Sequence, residues 1–422
     1  MRFHVIDIQG SLLAWNCPEL KIRTQMVLRA DLVSIATFII RPRHISNQAQ
    51  TSLLLRLKHL LTLLINQITF YKRLTVVMTF KNILLILAIL SMNSGSRAAS
   101  TNEIDNPSKY SVDKDILWAS PGGHALTMDI YTPTSGRDSY PVLIIFHGGG
   151  WLINDKSIMD QSAKYLATNS EFVICNVNYR LLVDSDNTIT LNEIVNDVFG
   201  SLAWVKEHIG TYKGDSSKIA VTGDSAGGHL AATIVNAGNR LSSMSYNESQ
   251  TFFPSYLPQG MTPEAIAASK GLEVQAAILS YPSLDVYRLG MGSFESWKNP
   301  FWLFSGSLSR GILGKDYNAE SNPELYKGVS PNHFIPEAST RILPPQLILT
   351  GSEDKLVKPE DSRAYYEKLV NAGHPAKFWV HEGRGHAFLD SGSNMMMGTS
   401  FEEDAPDALN IMIDFLNSAF SP

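Results

Sequence analysis

Ile219-Ala-Val-Thr-Gly-Asp-Ser225-Ala-Gly-Gly228 reads as a short apolar strand that enters a Gly-x-Ser-x-Gly turn and then, from His229 onward, a helix. Such a turn strains the serine backbone and lifts its hydroxyl above the end of a sheet, where it can reach a substrate carbonyl. The first N–H of the helix, that of Ala226, is then placed to hold an oxyanion. Gly223 and Gly227 flank Ser225 because a larger side chain would clash where strand and helix cross. The Gly-x-Ser-x-Gly pattern alone is weak; the strand-turn-helix context around it is the confirmation it needs.

A nucleophilic serine needs a base, and the base needs an orienting acid. Downstream, Pro345-Gln-Leu-Ile-Leu-Thr350 has the pattern of a buried strand and ends at Gly351-Ser-Glu-Asp354. An acid just past a strand's C-terminal end shares the rim of the sheet with Ser225. Asp354 is the first candidate, its neighbour Glu353 the second and Asp390 the third. The next strand pattern, Ala376-Lys-Phe-Trp-Val380, leads into Gly383-Arg-Gly-His386, whose imidazole is the candidate base. Upstream, Pro141-Val-Leu-Ile-Ile-Phe146 opens into His147-Gly-Gly-Gly-Trp151. Glycines let such a loop aim N–H groups into a pocket. Gly148, Gly149, Gly150 and Ala226 form the expected oxyanion hole, with Gly149 and Gly150 the main pair and Gly148 allowing the bend. His147 is expected to brace the loop. Trp151 and Asp224 are candidate pocket residues.

Taken singly, each motif has a structural reading as well. The glycine run could be a flexible loop, Asp354 a turn or cap acid, and His386 a surface histidine. Their joint occurrence in the order Ser, Asp, His, each at a strand end, favours a hydrolytic triad. His124, His208, His229, His333, His374 and His381 lack such partners and read as structural.

With His147-Gly-Gly-Gly150 and Gly223-Asp-Ser-Ala-Gly-Gly228, the chain resembles the hormone-sensitive-lipase-like and carbohydrate-esterase-like branches of the α/β-hydrolase superfamily. Further matches are Leu126-Thr-Met-Asp-Ile-Tyr131, Asn178-Tyr-Arg-Leu181, Ala203-Trp-Val-Lys206, Gly328-Val-Ser-Pro331, Leu343-Pro-Pro345 and Gly385-His-Ala-Phe388. The resemblance runs from about residue 110 to the C-terminus. It implies an α/β-hydrolase fold, with a mostly parallel eight-stranded sheet and helices on both faces, a carboxylic-ester substrate and no cofactor. Two departures stand out. Leu181-Leu-Val-Asp-Ser-Asp186 replaces the usual Leu-Ala-Pro-Glu, which points toward the secreted carbohydrate-esterase branch. The stretch from Asn239 to Gly271 is longer than the usual link after the nucleophile helix.

The chain has 422 residues, 44% of them apolar, enough for a large core. Residues 1–77 hold ten Lys/Arg against three Asp/Glu, a formal +7; the rest hold 25 against 37, a formal −12. An acidic catalytic region argues against nucleic acid as a partner. The expected partner is a small-molecule or glycan-linked ester. Of the two cysteines, Cys17 and Cys175, the second sits in a strand pattern and reads as buried and inert. No metal-ligand spacing is visible.

Met78-Thr-Phe-Lys81 followed by the apolar run Ile83 to Leu90 resembles a secretory signal, with Ser96-Arg-Ala-Ala99 as a cleavage site. The run is too short to span a bilayer, which needs about 20 apolar residues. Because this signal-like segment begins at an internal Met and residues 1–77 are basic without a clear core pattern, translation is expected to start at Met78, with residues 1–77 a basic extension foreign to the natural protein; the rival reading is an amphipathic arm over Ser52 to Val77. If the segment acts as a signal, the enzyme is secreted or periplasmic, and otherwise cytoplasmic.

Residues 100–422 are expected to form the catalytic domain. A leading hairpin is expected over 110–132 and strands at 141–146, 172–178, 218–223, 274–280, 345–350 and 376–380. Helical patterns lie at about 158–168, 190–209, 226–237, 359–372 and 403–419. This alternation argues for a parallel sheet. Residues 238–272 and 283–342 break it and carry many aromatics, among them Phe252, Tyr256, Phe294, Trp297 and Phe301. They read either as inserts packed on the sheet or as a cap lining an acyl or aromatic pocket above Ser225. Met395-Met-Met397 could be a further pocket edge, and Asn247-Glu-Ser249 has the form of a glycosylation sequon. The function expected is a serine carboxylesterase on short or aromatic esters, including acetyl or feruloyl esters of polysaccharides. The alternatives are an amidase or peptidase with the same triad and a non-catalytic binding protein on the same fold.

Overall fold

Along Tyr140–Phe146 every side chain but that of Pro141 is buried, and alternate residues enter different cores. Val142, Ile144 and Phe146 join one apolar cluster, Leu143 and Ile145 the other. A strand buried on both faces must be apolar throughout, which is why the sequence shows a run here and no alternation. Each such side chain removed from water stabilises the fold by about 1.5–3 kcal/mol.

The computed structural model describes residues 105–241, 252–395 and 397–421. The chain divides into two units, Met1–Ser100 and Thr101–Pro422, and all described residues lie in the second. The expected basic extension, signal-like segment, sequon and Met396 lie outside the described residues.

Eight strands form one sheet: β1 Tyr110–Ala119, β2 Leu126–Pro133, β3 Tyr140–Phe146, β4 Val173–Val177, β5 Gly214–Asp224, β6 Ala276–Ser280, β7 Gln346–Gly351 and β8 Ala376–His381. Their order is β1-β2-β4-β3-β5-β6-β7-β8. β1 and β2 pair antiparallel, as do β2 and β4; every other pairing is parallel. The sheet is therefore mostly parallel and flanked by helices, the α/β-hydrolase architecture. The long helices are α1 Asp160–Asn169, α2 Leu191–His208, α3 Ala226–Ala237, α8 Pro359–Asn371 and α9 Phe401–Phe420. Between them the chain makes the shorter α4 Pro263–Ala268, α5 Val286–Gly292, α6 Pro300–Phe304 and α7 Pro323–Gly328. Helix α2 starts with a capping box: the Thr190 hydroxyl accepts from the Glu193 N–H, and the Glu193 carboxylate accepts from the Thr190 N–H.

Parallel register brings the strand ends to one edge. Phe146 pairs with Gly223, Asp224 with Ser280, and Gly351 with His381. The loops that leave this edge carry Gly148 to Gly150, Ser225, Asp354 and His386. The two irregular stretches go to different places. The described part of the first packs on α2: the Phe253 N–H donates to Asn196 Oδ1 at 2.8 Å, and Phe252 stacks on Phe199 at 5.8 Å. The second, 283–342, reaches the glycine loop, with Phe294 and Phe301 carbons 3.7 and 3.8 Å from where a Cβ on Gly150 would sit.

Candidate active site

Ser225 has φ +52° and ψ −112°, a conformation that L-residues rarely adopt and that surrounding contacts must hold. Its N–H donates to the Ser280 carbonyl at 2.8 Å, and its own carbonyl accepts from Ser283 at 3.0 Å and His229 at 3.2 Å. The flanking glycines are required by close packing. A Cβ on Gly227 would lie 1.9 Å from the Phe146 carbonyl oxygen, and one on Gly223 would lie 2.3 Å from the Gly227 carbonyl carbon. The turn is thus wedged against the end of β3, and only hydrogen fits on either side of the serine.

The His386 ring joins two loops. Its Nδ1 is 2.7 Å from Asp354 Oδ2, and its Nε2 is 2.9 Å from Ser225 Oγ. With Nδ1 protonated, the imidazole donates to the carboxylate and accepts from the hydroxyl. Asp354 is fixed from behind, its Oδ1 accepting from the Leu356 and Val357 N–H groups at 2.8 and 2.9 Å. Every lone pair it aims inward is therefore matched, as a buried carboxylate needs. Serine, histidine and aspartate are all buried to within a tenth of full exposure, while Glu353 lies exposed beside them. Asp390 is half-buried and sits near Asp224; desolvation holds its carboxyl well above the usual carboxylate range, and the Asp224 charge adds to this.

The glycine loop packs tightly against Asp224. The Gly148 N–H faces the Asp224 carboxyl, and a Cβ on Gly148 would lie 2.2 Å from Asp224 Oδ2. Gly148 is therefore crowded against the Asp224 carboxyl on its side-chain face. Gly149 and Gly150 have φ of +112° and +63°, suited to glycine. Among the described residues, the N–H groups of Gly149, Gly150 and Ala226 have no acceptor. His147 lies behind the loop, stacked on Tyr179 at 4.3 Å, and the Tyr179 hydroxyl donates to the His147 carbonyl at 2.5 Å. Burial pushes the His147 imidazole down to about 4, so it stands neutral as a brace.

Trp151 and Asp224 differ from expectation. They are 1% and 2% exposed, enclosed behind the loop and turn. Trp151 packs edge-on against His229 at 5.0 Å and Phe294 at 5.7 Å, which ties the glycine loop to helix α3 and to the second insert. Burial pushes the Asp224 carboxyl up to about 6, against the lowering effects of His386 and of the Gly148 and Asp224 N–H groups. Cys175 is buried and its thiol pushed up by desolvation, so it is no nucleophile.

One residue escaped the sequence reading. Tyr281, fully buried with φ +37°, sets its ring edge-on to His386 at 4.6 Å, and its hydroxyl accepts from the Leu389 N–H at 3.3 Å. It therefore holds the imidazole and the loop that follows. Its position directly after β6, on the same strand-end rim as Ser225, was the available signal.

The BD-FAE family model matches residues 128–369. Esterase LipQ of Mycobacterium tuberculosis is 28% identical over 285 residues, which cover 67% of this chain and 58% of LipQ. Carboxylesterase NlhH of the same species is 34% identical over 105 residues, 25% of this chain and 32% of NlhH. The chain thus spans only part of the length of either relative. A truncated carbohydrate esterase from gut microbiota superposes with a TM-score of 0.55 at 21% identity, covering 75% of this chain and 98% of that one, a likeness of fold.

Proposed function

The chain belongs to the BD-FAE family, and we propose that it is a serine carboxylesterase acting on short-chain or aromatic carboxylic esters, with acetyl or feruloyl esters of polysaccharides among them. What carries the reading is the unbroken chain of contacts from Ser225 Oγ through the His386 ring to Asp354 Oδ2. In the proposed reaction Ser225 Oγ attacks the ester carbonyl carbon as its proton passes to His386 Nε2. Asp354 holds the Nδ1–H tautomer and stabilises the imidazolium. The tetrahedral oxyanion accepts from the N–H groups of Gly149, Gly150 and Ala226. When it collapses, the alcohol leaves with the proton from Nε2. Water, deprotonated by His386, then attacks the acyl-serine, and the carboxylic acid departs as Ser225 regains its proton. The relatives support an esterase by name: one is called an esterase and the other a carboxylesterase.

A p-nitrophenyl ester series from acetate to palmitate tests this reading, with Ser225→Ala as the control. Turnover peaking at acetate or butyrate and absent from the variant is the expected result. A folded wild-type protein inert on every ester would overturn it. We extend the proposal to export through the segment that starts at Met78. N-terminal sequencing of the natively produced protein checks that step, and a terminus before Met78 would sink it.

A further inference from the structure

A cavity of about 510 Å³ is lined on three sides by residues that touch the triad or the glycine loop. Ser283, whose N–H holds the Ser225 carbonyl, lines one side. Leu356 and Val357, which hold Asp354, line another, and Phe294 of the second insert closes the third against Gly150. The cavity is thus built on the segments that hold Ser225 and Asp354 in place.

The charge around this cavity runs against that of the domain. Residues 78–422 carry a formal −12, yet five cations line the cavity, Arg288, Lys298, Lys355, Lys358 and Lys368, against two carboxylates, Asp285 and Asp361. Both carboxylates are already engaged. Asp361 pairs with Arg288. Asp285 caps α5 by accepting from the Arg288 N–H at 3.0 Å, and its other oxygen faces Asn332 Nδ2 and His333 Nε2, each at 3.4 Å. Lys368 Nζ donates to the Asn332 carbonyl at 3.0 Å. Lys298, Lys355 and Lys358 have no acidic partner within ion-pair distance among the described residues. A concave wall with unmatched charge of one sign focuses its field on whatever enters.

We propose that this cavity takes a carboxylate borne by the ester substrate. The inference rests on the esterase reading and narrows its substrate class to anionic esters. Two sources share that chemistry. An acidic sugar chain would bring the carboxylate on the alcohol side, and a dicarboxylic half-ester would bring it on the acyl side. Lys298, Lys355 and Lys358 then bind and orient the substrate and take no part in proton transfer. Each is exposed, so the gain from any one is modest, and the three act together.

The test is a ratio of kcat/KM values for matched substrates. One arm pairs an acetylated uronate-bearing oligosaccharide with its neutral counterpart; the other pairs p-nitrophenyl hemisuccinate with p-nitrophenyl butyrate. We expect a preference of about tenfold for the anionic member in one arm at low salt, decaying toward unity in about 0.5 M NaCl. The arm that shows it names the source. The triple variant K298Q/K355Q/K358Q should bring the ratio to about one, and the charge reversal K298E/K358E should push it below one. Because each variant is its own control through the neutral substrate, partial misfolding lowers both rates and leaves the ratio readable. Wild-type ratios near one in both arms, with the neutral esters turned over, overturn this inference and leave the esterase reading standing. A salt-insensitive ratio, or one untouched by the lysine variants, also overturns it. No turnover of any ester removes both.

Discussion

The strand-end rim and the second insert lie against each other and are built on opposite principles. On the rim, Ser225, Asp354 and His386 follow β5, β7 and β8, and parallel register sets their spacing before any side chain acts. All three are buried and joined by contacts of 2.7 and 2.9 Å. The insert 283–342 has no strand. Its helices α5, α6 and α7 run seven, five and six residues, and it exposes Trp297, Leu303 and Leu308 at 82%, 76% and 85%. Groups with the reacting role proposed for these three need positions held to a fraction of an ångström, which a sheet supplies. A segment that only shapes what enters can vary without disturbing them.

The comparison breaks first if the chemistry does not depend on the rim. Ser225→Ala should lower kcat on p-nitrophenyl butyrate by about 10⁴–10⁶ while leaving the melting temperature within a few degrees. Asp354→Asn comes next, with a loss of about 10³–10⁴, because the amide no longer holds the Nδ1–H tautomer. Glu353→Gln, exposed beside it, should cost less than about tenfold. If the Glu353 variant is the more damaged, the acid has been misplaced. Gly148→Ala should lose about 10²–10³ in kcat. Its Cβ would need the space of the Asp224 carboxylate, so the neighbouring Gly149 and Gly150 donors must shift. Circular dichroism and steady-state rates on the same preparations separate this from unfolding.

The rim was legible in the sequence and the insert was not, for physical reasons that particular residues make plain. A buried parallel strand must be apolar throughout, and a loop must follow it. Val142 to Phe146, Ile219 to Thr222 and Gln346 to Thr350 therefore announced both the strands and the positions just beyond them. Gly223 and Gly227 announced a close crossing. Tyr281 was hidden because its importance comes from ring orientation against a histidine 105 residues later in the chain. The crowding of Gly148 against Asp224 was hidden because it depends on where two loops meet. The short helices of the insert have too few turns to print a hydrophobic period; the local signs were cap residues, Asp285 and Asn299, and proline at the starts, Pro300 and Pro323. Likewise, nothing local said that Phe252 would choose Phe199 on α2 over the space above Ser225.

The smallest effect tests the seam between the two regions. His229 lies on α3, four residues after the serine, with its ring edge-on to Trp151. Its Nε2–H donates to the Val329 carbonyl of the insert at 2.7 Å, while Nδ1 is buried without a partner. A ring held this way is neutral, and burial pushes its pKa down to about 4. In the unfolded chain a histidine titrates near about 6.5. Between those values the unfolded state binds a proton that the folded state refuses. The stability owed to a neutral His229 is therefore complete above about pH 6.5, declines as the pH falls toward about 4, and changes no further below that. Glutamine at this position keeps an N–H for Val329 and cannot titrate. The melting temperature of His229→Gln, taken relative to the wild type, should accordingly stay level from about pH 8 to about pH 6.5 and rise from there to about pH 4.5, with other titrating groups such as His147 cancelling between the two proteins. A difference that stays flat over that range would mean that the ring is not held neutral and buried, and that the insert is joined to the nucleophile helix at some other point.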